Sequence, residues 1–260
     1  MYKDKVILIT GASSGIGAAL ARRFARDRAT LVLVARRQDR LASLADELMH
    51  HTAAFTIAAD LAADGAPARV IAEANRLAGR IDVLVNNAGV GEYGEFRRQD
   101  PAALDRMMRL NTTAVVQLTR AALPAMIERR SGAILNIAST AAFQPTPYMA
   151  VYGGTKSFVR NFSLALWCEL RDTGVTVTCV CPGPVRTEFF DHGGYESRRD
   201  DFQRLAADPD WLAEKARAAL IRKKVISTPG AINWLGAFLT RFGWPRLVTR
   251  ISARILGPGM

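Results

Sequence analysis

A phenol and an ammonium group are four positions apart in the segment Tyr152–Lys156 (YGGTK). Residues with this spacing lie on the same face of an α-helix, so the two side chains can approach each other. A free phenol has a pKa of about 10, which makes it a poor acid–base catalyst at neutral pH. A neighbouring ammonium favours the phenolate and lowers that pKa. The sequence therefore predicts Tyr152 as a general acid/base whose phenol is made more acidic by Lys156.

Two polar residues upstream could complete such a site. Ser139 ends a predicted strand, where its hydroxyl could hydrogen-bond the same substrate oxygen as Tyr152. Asn111 lies within a long predicted helix, where it could interrupt the backbone hydrogen bonds and anchor a water that relays protons to Lys156. Taken singly, such residues are as well explained by a surface pair, a turn or a cap. Only their combination with the loop described next favours catalysis.

A glycine-rich loop, Thr10–Gly17 (TGASSGIG), follows the first predicted strand and opens the first predicted helix. Glycines in this context permit a tight turn and close approach of the backbone to a pyrophosphate, whose charge rests on the N–H groups of the helix start. By itself the loop could be an ordinary strand-to-helix turn. Together with the catalytic candidates it predicts a dinucleotide site whose contacts are Gly11, Ser13, Ser14, Gly15, Ile16 and Gly17.

The end of the second predicted strand discriminates between the two nicotinamide dinucleotides. An acidic residue about 20 positions beyond the glycines would hold the ribose 2′-hydroxyl of NAD(H). This region reads VARR, ending in Arg36 and Arg37, with no acid before Asp39. The planar donor set of arginine suits a 2′-phosphate. We therefore expect NADP(H) in preference to NAD(H), with Arg36 as the main contact. The alternative is that both arginines, and Arg37 in particular, are solvated residues at the start of a helix.

Short β-branched runs alternate with longer helical patterns, which is typical of a parallel sheet covered by helices. Right-handed crossovers then predict an α/β, single-domain Rossmann-type doubly wound parallel sheet over residues 1–260, with helices on both faces and a C-terminal helical appendage. The predicted strands are Val6–Thr10, Leu31–Ala35, Ala54–Ile57, Val83–Asn86, Ala133–Ala138 and Val175–Cys181. The predicted helices are Ile16–Arg28, Arg40–His50, Ala66–Ala78, Pro101–Arg130, Val151–Asp172 and Trp211–Ile221.

The composition limits the classes of protein to consider. Of 260 residues, 49% are hydrophobic and 23% are charged, as in an ordinary folded globule. No stretch reaches the ~18 consecutive apolar residues of a membrane-spanning helix, and three cysteines make neither a disulfide framework nor a metal-ligand pattern. The net charge of +11 is spread along the chain without a recognised motif, so nucleic acid is not an expected partner. We expect a cytoplasmic protein, with peripheral contact at the inner membrane surface left open.

Residues 231–260 form a basic and aromatic tail. Arg241, Arg246, Arg250 and Arg254 are interleaved with large apolar residues, which predicts amphipathic helices. Basic residues on one face and aromatic residues on the other are typical of a helix that rests on anionic lipid. A pair of helices that covers the substrate or packs against a second subunit explains the same pattern equally well.

Taken together, these motifs resemble the short-chain dehydrogenases/reductases. The resemblance covers residues 5–187 and is carried by Thr10–Gly17, Asn86–Gly89 (NNAG), Asn111, Ser139, the Tyr152 and Lys156 pair, and Pro182-Gly183. It implies a catalytic tetrad of Asn111, Ser139, Tyr152 and Lys156, the last two also touching the cofactor. It further implies adenine contact by Asp60, ribose contact by Asn87, Ala88 and Gly89, and nicotinamide contact by Pro182, Gly183, Val185 and Thr187. Segment 176–190 and the basic tail are most similar to the DltE-like branch of the family.

The resemblance implies an NAD(P)-dependent oxidoreductase that forms a homodimer or homotetramer. Its substrate would be enclosed by segment 188–224 and by apolar and aromatic walls, with Phe143, Met149, Phe189 and Phe190 as candidate contacts. We therefore predict interconversion of a carbonyl and an alcohol on a small hydrophobic substrate. The alternative is a catalytically silent NADP(H) sensor, which would not need a proton donor beside the nicotinamide ring.

Overall fold

Seven parallel strands form one sheet in the computed structural model, which describes residues 2–240, 242 and 244–257. The strands are β1 (Val6–Thr10), β2 (Thr30–Ala35), β3 (Ala54–Ala58), β4 (Val83–Asn86), β5 (Gly132–Ile137), β6 (Val175–Val180) and β7 (Ile226–Ser227). The helices of this part of the chain are α1 (Gly15–Arg26), α2 (Gln38–Leu48), α3 (Ala66–Ala78), α4 (Pro101–Met108), α5 (Ala114–Glu128), α6 (Ala150–Glu169), α7 (Arg199–Arg204), α8 (Pro209–Ile221), α9 (Ala231–Leu239) and α10 (Pro245–Leu256). The predicted single-domain α/β fold is confirmed.

Apolar side chains on both faces of the central strands hold the helices against the sheet. Ile7 and Ile9 of β1 pack with α1, α2 and α8 on one face, and Leu8 packs with α3, α5 and α6 on the other. All three side chains are fully buried. Successive residues of a strand point to opposite faces, so a strand that is covered on both sides must be apolar at every position. This is why the strands were recognisable as short continuous apolar runs.

The strand order, β3-β2-β1-β4-β5-β6-β7, reverses direction between β1 and β4. In open parallel sheets, ligands bind at such a point, in the crevice outside the carboxyl ends of the strands. The loop after β1 begins at Gly11 and the loop after β4 begins at Asn87. Both edges of the crevice therefore come from segments that carry the sequence motifs.

The structure departs from the predicted elements mainly at their ends. Several bounds move by one or two residues, as for the predicted strand Ala133–Ala138, which is Gly132–Ile137. The predicted helix Pro101–Arg130 is divided by a π-helical segment at Arg109–Thr113. The sequence analysis missed β7, because the two residues Ile226 and Ser227 are too few to show a period.

The predicted substrate-covering segment 188–224 has two parts in the structure. The first part carries Phe189, Phe190 and Tyr195, which pack around Tyr152. The second part, α8, buries its apolar side against α1 in the main core. The prediction is therefore wrong for α8, because its apolar face belongs to the core and not to the crevice.

The predicted C-terminal helices correspond to α9 and α10. Residues 241, 243 and 258–260 lie outside the described residues, and Arg241 of the predicted basic face is among them. Within the described ranges, no helix combines the length and the apolar character needed to cross a bilayer.

Candidate active site

Tyr152 and Lys156 lie on the same face of α6, next to the carboxyl end of β5. The Nζ atom of Lys156 is 5.7 Å from the centroid of the Tyr152 ring and donates to the carbonyl oxygen of Ile137 at 3.0 Å. Only 8% of Tyr152 and 6% of Lys156 is exposed. The two residues thus form a buried pair, and not a surface pair with a solvated lysine.

Burial dominates the titration of this pair. Removal from water raises the pKa of Tyr152 to about 12, and the hydroxyl of Ser139 opposes that rise. Burial lowers the pKa of Lys156 to about 8, because the charged form loses its hydration. The predicted lowering of the Tyr152 pKa by Lys156 is not found in this structure. The physical reason is that the desolvation of a fully enclosed phenol outweighs the polar groups around it.

Ser139 directly follows β5 and caps a 3₁₀ turn, Thr140–Phe143. Its Oγ accepts a hydrogen bond from the backbone N–H of Ala141 at 3.1 Å. The hydroxyl proton stays available for another acceptor, and the hydroxyl acts to lower the pKa of Tyr152. The capping role and the predicted catalytic role are therefore compatible, since the oxygen accepts from the backbone and the hydroxyl can still donate a hydrogen bond.

Asn111 lies in the π-helical segment between α4 and α5, where the sequence predicts an interrupted helix. Its amide donates to the carbonyl oxygen of Val90 at 2.8 Å, and its Oδ1 accepts from the N–H of Val90 at 3.0 Å. A Cβ built on Gly89 would lie 3.2 Å from Asn111 Oδ1 and 3.3 Å from Lys156 Nζ. Asn111 and Lys156 therefore flank the same backbone position, and the proton relay between them stays a prediction.

The glycine loop is shaped for close approach of a ligand to its backbone. Gly11 and Gly15 adopt φ angles of +66° and +53°, which residues with a Cβ disfavour. A Cβ on Gly17 would lie 2.2 Å from the carbonyl oxygen of Gly11, so α1 approaches the loop this closely only without a side chain there. The first N–H groups of α1 have no intrahelical partner. Together these features form a cradle for an anionic group such as a pyrophosphate.

Hydrogen bonds join the glycine loop to the loop after β4. The Oγ1 of Thr10 accepts from the N–H groups of Asn87 and Ala88, both at 3.0 Å. It donates to the carbonyl oxygen of Val85 at 3.1 Å, while Asn87 Nδ2 donates to the carbonyl oxygen of Thr10 at 2.9 Å. One threonine therefore fixes the relative position of the two loops that border the crevice.

A cavity of about 530 Å³ lies between these loops. Its walls include the predicted cofactor contacts Gly11, Ser13, Ser14, Gly15, Ile16, Arg36, Asp60, Asn87, Ala88, Gly89 and Thr187. A Cβ on Gly15 would lie 2.7 Å from Cγ2 of Thr187, so the loop after β1 and the segment after β6 nearly touch. The structure therefore brings the two groups of predicted contacts to one cavity.

Three predicted nicotinamide contacts lie outside the walls of this cavity. Val185 is 5% exposed and packs in the main core. Gly183 abuts the side chain of Asn233 in α9, and the carbonyl oxygen of Pro182 accepts from the N–H of Thr140 at 2.8 Å. Their predicted contact with the nicotinamide stays a prediction. They hold the segment that carries Thr187.

Arg37, and not Arg36, is anchored at the glycine loop. Its Nη2 donates to the hydroxyls of Ser14 at 2.9 Å and Ser13 at 3.2 Å. Arg36 also lines the cavity, but its side chain is exposed. Arg37 does precede α2 directly, as the alternative has it, but its guanidinium is hydrogen-bonded to protein groups and not only to solvent. Two hydroxyls and a carboxylate hold its guanidinium at the cavity.

That carboxylate belongs to Glu188, which the sequence analysis missed. Its oxygens accept from Arg37 at 2.8 Å and from Arg40 at 2.5 Å. The hydrogen bond from Arg37 is the largest of the effects that lower the pKa of Glu188. Arg106, also missed, pairs with Asp60 at 2.7 Å in the wall of the same cavity. No local pattern signals either pair, because the partners are far apart in the sequence.

An aromatic cluster surrounds Tyr152 on its open side. The buried members are Tyr93, Met107, Ala141, Met149, Tyr152, Phe190 and Tyr195. The ring centroids of Phe189 and Tyr152 are 5.5 Å apart, and Phe190 stacks on Phe202 at 5.0 Å. Met149, Phe189 and Phe190 of the predicted substrate contacts therefore lie beside Tyr152.

Phe143 lies apart from this cluster. It packs with Val115 and Val159, and the guanidinium of Arg160 is 4.7 Å from the centroid of its ring. It lines a second cavity of about 620 Å³, whose walls include Thr249 of α10. Phe143 thus has the packing role that the sequence left open as an alternative, and its contact with a substrate stays a prediction.

Tyr195 belongs to the predicted aromatic walls of the substrate site, in the segment after β6. Its side chain is fully buried, and among the described residues its hydroxyl has no hydrogen-bond partner. A buried unpaired hydroxyl costs about 1–3 kcal/mol. A polar group bound in the cluster would remove that cost, so Tyr195 is suited to contact a substrate.

Comparisons with known proteins agree with this geometry. A family model described as short chain dehydrogenase matches residues 5–194. Sulfoacetaldehyde reductase 2 from Chromohalobacter salexigens is 41% identical over 186 residues, which are 71% of this chain and 74% of that protein. A short-chain dehydrogenase from Sphingobium yanoikuyae in complex with NADPH superimposes with a TM-score of 0.82 at 36% identity, over 92% of this chain and 94% of that one. A 3-ketoacyl-(acyl-carrier-protein) reductase from Brucella melitensis complexed with NADH has a TM-score of 0.79 at 30% identity, over 88% and 96% of the two chains.

The chain belongs to the short-chain dehydrogenase family and is an NAD(P)-dependent oxidoreductase. Its residues fit a nicotinamide dinucleotide. The glycine loop lines the cavity through Gly11 and Gly15, and the same cavity extends to Thr187 and Phe189, which packs on Tyr152.

Proposed function

We propose that the protein is an NADP(H)-dependent oxidoreductase that interconverts a carbonyl and an alcohol on an apolar substrate, with Tyr152 as the general acid/base. The observation that carries this proposal is the position of the Tyr152 hydroxyl. It is buried beside Ser139, and Phe189, which packs on its ring, also lines the cavity that starts at the glycine loop.

The chemistry divides between the cofactor and these side chains. When bound, the nicotinamide supplies or accepts the hydride at the reacting carbon. In the reducing direction Tyr152 donates its proton to the carbonyl oxygen, and the Ser139 hydroxyl orients that oxygen. The O–H bond of the phenol breaks as that of the alcohol forms, which leaves a phenolate. In this proposal the Lys156 ammonium, whose Nζ is 5.7 Å from the centroid of the Tyr152 ring, would be the cation that stabilises the phenolate once it forms.

The preference for NADP(H) is supported by the charge at the adenosine end of the cavity. Arg36 and Arg37 both line it, and Arg37 already binds the carboxylate of Glu188, an anion that resembles a phosphate in its acceptor geometry. No acid precedes Asp39 at this place in the sequence. A ribose 2′-phosphate could therefore replace Glu188 as the partner of Arg37.

Arg37→Ala is expected to weaken NADPH binding selectively. Hydrogen bonds to charged groups contribute about 1.5–3 kcal/mol, so the Kd for NADPH should rise at least roughly tenfold while that for NADH changes little. Calorimetric titration with each dinucleotide measures both values. Arg40→Ala is the matched control, because Arg40 shares Glu188 with Arg37 but is not bonded to the glycine loop. An equal loss for the two dinucleotides would contradict the proposed preference.

An apolar substrate is favoured by the lining around Tyr152. The relative named sulfoacetaldehyde reductase acts, by its name, on an aldehyde with a sulfonate. In this chain the cluster beside Tyr152 is aromatic and aliphatic. Arg198, near Tyr93 in that cluster, is already bound to the carbonyl oxygen of Ile255 and to the carboxylate of Asp201. Among the described residues of this cluster and its neighbour Arg198, no positively charged side chain is left without a partner to bind an anionic substrate.

The substrate class is tested by following NADPH oxidation with two series of carbonyl compounds. One series is of linear ketones and aldehydes of increasing length, and the other is of short aldehydes that carry a sulfonate or carboxylate. Each buried methylene contributes about 0.8 kcal/mol, so four of them should raise kcat/KM on the order of a hundredfold. Preference for the anionic series would refute an apolar substrate. NADPH binding without turnover of any carbonyl would favour the silent sensor. The reductases among the relatives argue against a silent sensor.

We also propose membership of the DltE-like branch, on the basis of segment 176–190 and the basic tail. The homodimer or homotetramer, the cytoplasmic location and the lack of nucleic-acid binding stay predictions of the sequence.

A further inference from the structure

Helix α10 turns three of its large apolar side chains away from the protein, while Leu256 packs against the aromatic cluster around Tyr152. Its buried or half-buried positions include Thr249, Ser252 and Ala253, and Ser252 is only 3% exposed. Leu247, Ile251 and Ile255, one helical turn apart, are 57%, 48% and 63% exposed. A helix on the surface of a protein in water normally shows the opposite arrangement, with the apolar stripe facing the core.

The preceding helix, α9, is oriented in the same unusual way. It packs through Asn233 and Ala237, while Ile232 and Trp234 are 88% and 56% exposed. The ring of Trp234 stacks on that of Phe238 at 5.4 Å, also at the surface. Further exposed apolar side chains in this region are Leu235, Leu239, Phe242 and Trp244. We call the exposed side of α9 and α10 the tail surface; exposed apolar patches of this kind mark sites of interaction.

The two helices border one segment of the protein. Helix α9 contacts the 3₁₀ turn Thr140–Phe143. Thr249 of α10 faces the residues that follow this turn, Gln144–Thr146, across the second cavity. Both helices therefore lie at the side of the molecule where β5 ends.

A row of arginines runs along the edge of this apolar surface. Arg246, Arg250 and Arg254 are spaced by four residues, so they follow one side of α10 next to the row that starts at Leu247. All three are exposed, and within the described parts of the chain none forms an ion pair. Residues 231–260 contain no aspartate or glutamate. The tail itself therefore contributes only positive charge to this surface.

This combination fits an anionic lipid surface better than a second copy of the chain. A twofold interface places the same patch of both subunits face to face, which would bring the two arginine rows together without acidic partners from either tail. A bilayer offers anionic headgroups for the arginines and acyl chains for the aliphatic row, and tryptophans such as Trp234 and Trp244 favour the boundary between them.

We propose that the tail surface binds a membrane that contains anionic lipid, with Leu247, Ile251 and Ile255 inserted among the acyl chains and Arg246, Arg250 and Arg254 at the headgroups. The protein would be held at the bilayer by α9 and α10 lying in its interface.

The tail surface is directly connected to the aromatic cluster around Tyr152. The hydroxyl of Tyr93, a member of that cluster, donates to the carbonyl oxygen of Leu256 in α10 at 2.5 Å. Arg198 donates to the carbonyl oxygens of Ile255, at 3.1 Å, and of Gly257. Membrane binding would place the active site next to molecules dissolved in the bilayer. This consequence for substrate supply rests on the proposed function, whereas the binding itself does not.

The test is sedimentation of the full chain, with NADPH present, by vesicles of phosphatidylcholine alone or of phosphatidylcholine with phosphatidylglycerol. We expect binding to the mixed vesicles that falls as salt is raised. The triple variant Arg246→Gln, Arg250→Gln and Arg254→Gln should lower the partition coefficient on the order of a hundredfold, at about 1 kcal/mol for each arginine. The triple variant Leu247→Ser, Ile251→Ser and Ile255→Ser should lower it at least as much.

A charge-matched control separates local contact from the general effect of the net charge. Arg76, Arg97 and Arg98 are exposed and lie outside the tail, so replacing them by Gln removes the same charge from another part of the surface. This control should bind vesicles nearly as the parent chain does. An unchanged Kd for NADPH shows that each variant is folded, and sedimentation requires no turnover, so an error in the proposed activity leaves this test intact.

Three outcomes would overturn the proposal. The first is that the parent chain does not sediment with the mixed vesicles. The second is that the control variant loses as much vesicle binding as the Arg246→Gln, Arg250→Gln and Arg254→Gln variant. The third is that the parent chain does not bind vesicles and light scattering shows an oligomer that the Leu247→Ser, Ile251→Ser and Ile255→Ser changes dissociate. The last would assign the tail surface to contact between copies of the chain. Vesicle-dependent blue-shifted emission in a variant with Trp167→Phe and Trp211→Phe, which leaves Trp234 and Trp244, would support insertion.

Discussion

Tyr152→Phe is expected to lower kcat for NADPH-dependent carbonyl reduction about 10²–10⁴-fold, the range that a positioned general acid contributes. The substitution removes only the hydroxyl. The ring keeps its packing against Phe189 at 5.5 Å between centroids, so the fold and the cofactor cavity should be unchanged. Steady-state rates on the best apolar carbonyl compound measure the effect, and titration with NADPH should give the Kd of the parent chain within about twofold, since no charged hydrogen bond is lost.

Tyr148→Phe is the matched control for this experiment. Tyr148 is a second phenol on the same side of the site, with its ring centroid 6.2 Å from that of Tyr93. The residue four positions after Tyr148 is Tyr152 and not a lysine, so the sequence motif does not predict that Tyr148 acts as a general acid. Its substitution should leave kcat close to the parent value. If Tyr148→Phe lost activity and Tyr152→Phe kept it, the assignment of the general acid would be refuted.

Gly17→Ala should disrupt both the fold of the crevice and cofactor binding. Its Cβ would lie 2.2 Å from the carbonyl oxygen of Gly11 and 2.7 Å from Nδ2 of Asn87. The first of these neighbours is backbone, so relief requires a shift of the glycine loop itself. Forcing an extra group into such a packed site costs about 1–3 kcal/mol, occasionally more. We expect a lower free energy of unfolding in urea and a Kd for NADPH raised on the order of a hundredfold.

Gly154→Ala makes the same chemical change where there is room for it. Apart from its chain neighbours and the backbone of its own helix, no described atom lies within 4 Å of the Cβ that it would add. Because Gly154 is inside α6, alanine should raise the free energy of unfolding by about 0.5–1 kcal/mol. Cofactor binding should not change. If Gly17→Ala and Gly154→Ala lowered the free energy of unfolding equally, the close contact between α1 and the glycine loop would not be the reason that position 17 needs glycine.

The main architecture was predictable because its signals are local. Strands such as β1 are apolar at every position, since both faces of a parallel sheet are covered. The positive φ angles at Gly11 and Gly15 explain why the loop between β1 and α1 is rich in glycine. The spacing of Tyr152 and Lys156 sets them on one face of α6 wherever that helix packs. Each inference needs only the geometry of neighbouring residues.

Contacts between distant segments were not predictable in this way. Arg37 meets Glu188 across 151 positions of sequence, and no period or motif links them. Phe143 and Tyr195 are both aromatic residues near the predicted site, yet only Tyr195 joins the cluster around Tyr152. Which ring faces the substrate depends on how the 3₁₀ turn and the segment after β6 pack, and that is a property of the assembled fold.

Amino-acid order alone thus determined the parallel sheet, the glycine cradle and the pairing of a phenol with an ammonium. These follow from hydrogen bonding and steric limits over a few residues. The tertiary structure decided how the pair titrates and which side of α10 faces outward. Burial raises the pKa of Tyr152 to about 12. Because α10 packs on the protein through Ser252, Ile251 and Ile255 are exposed to solvent. Both outcomes depend on which groups are removed from water, and that is settled only when distant parts of the chain have come together.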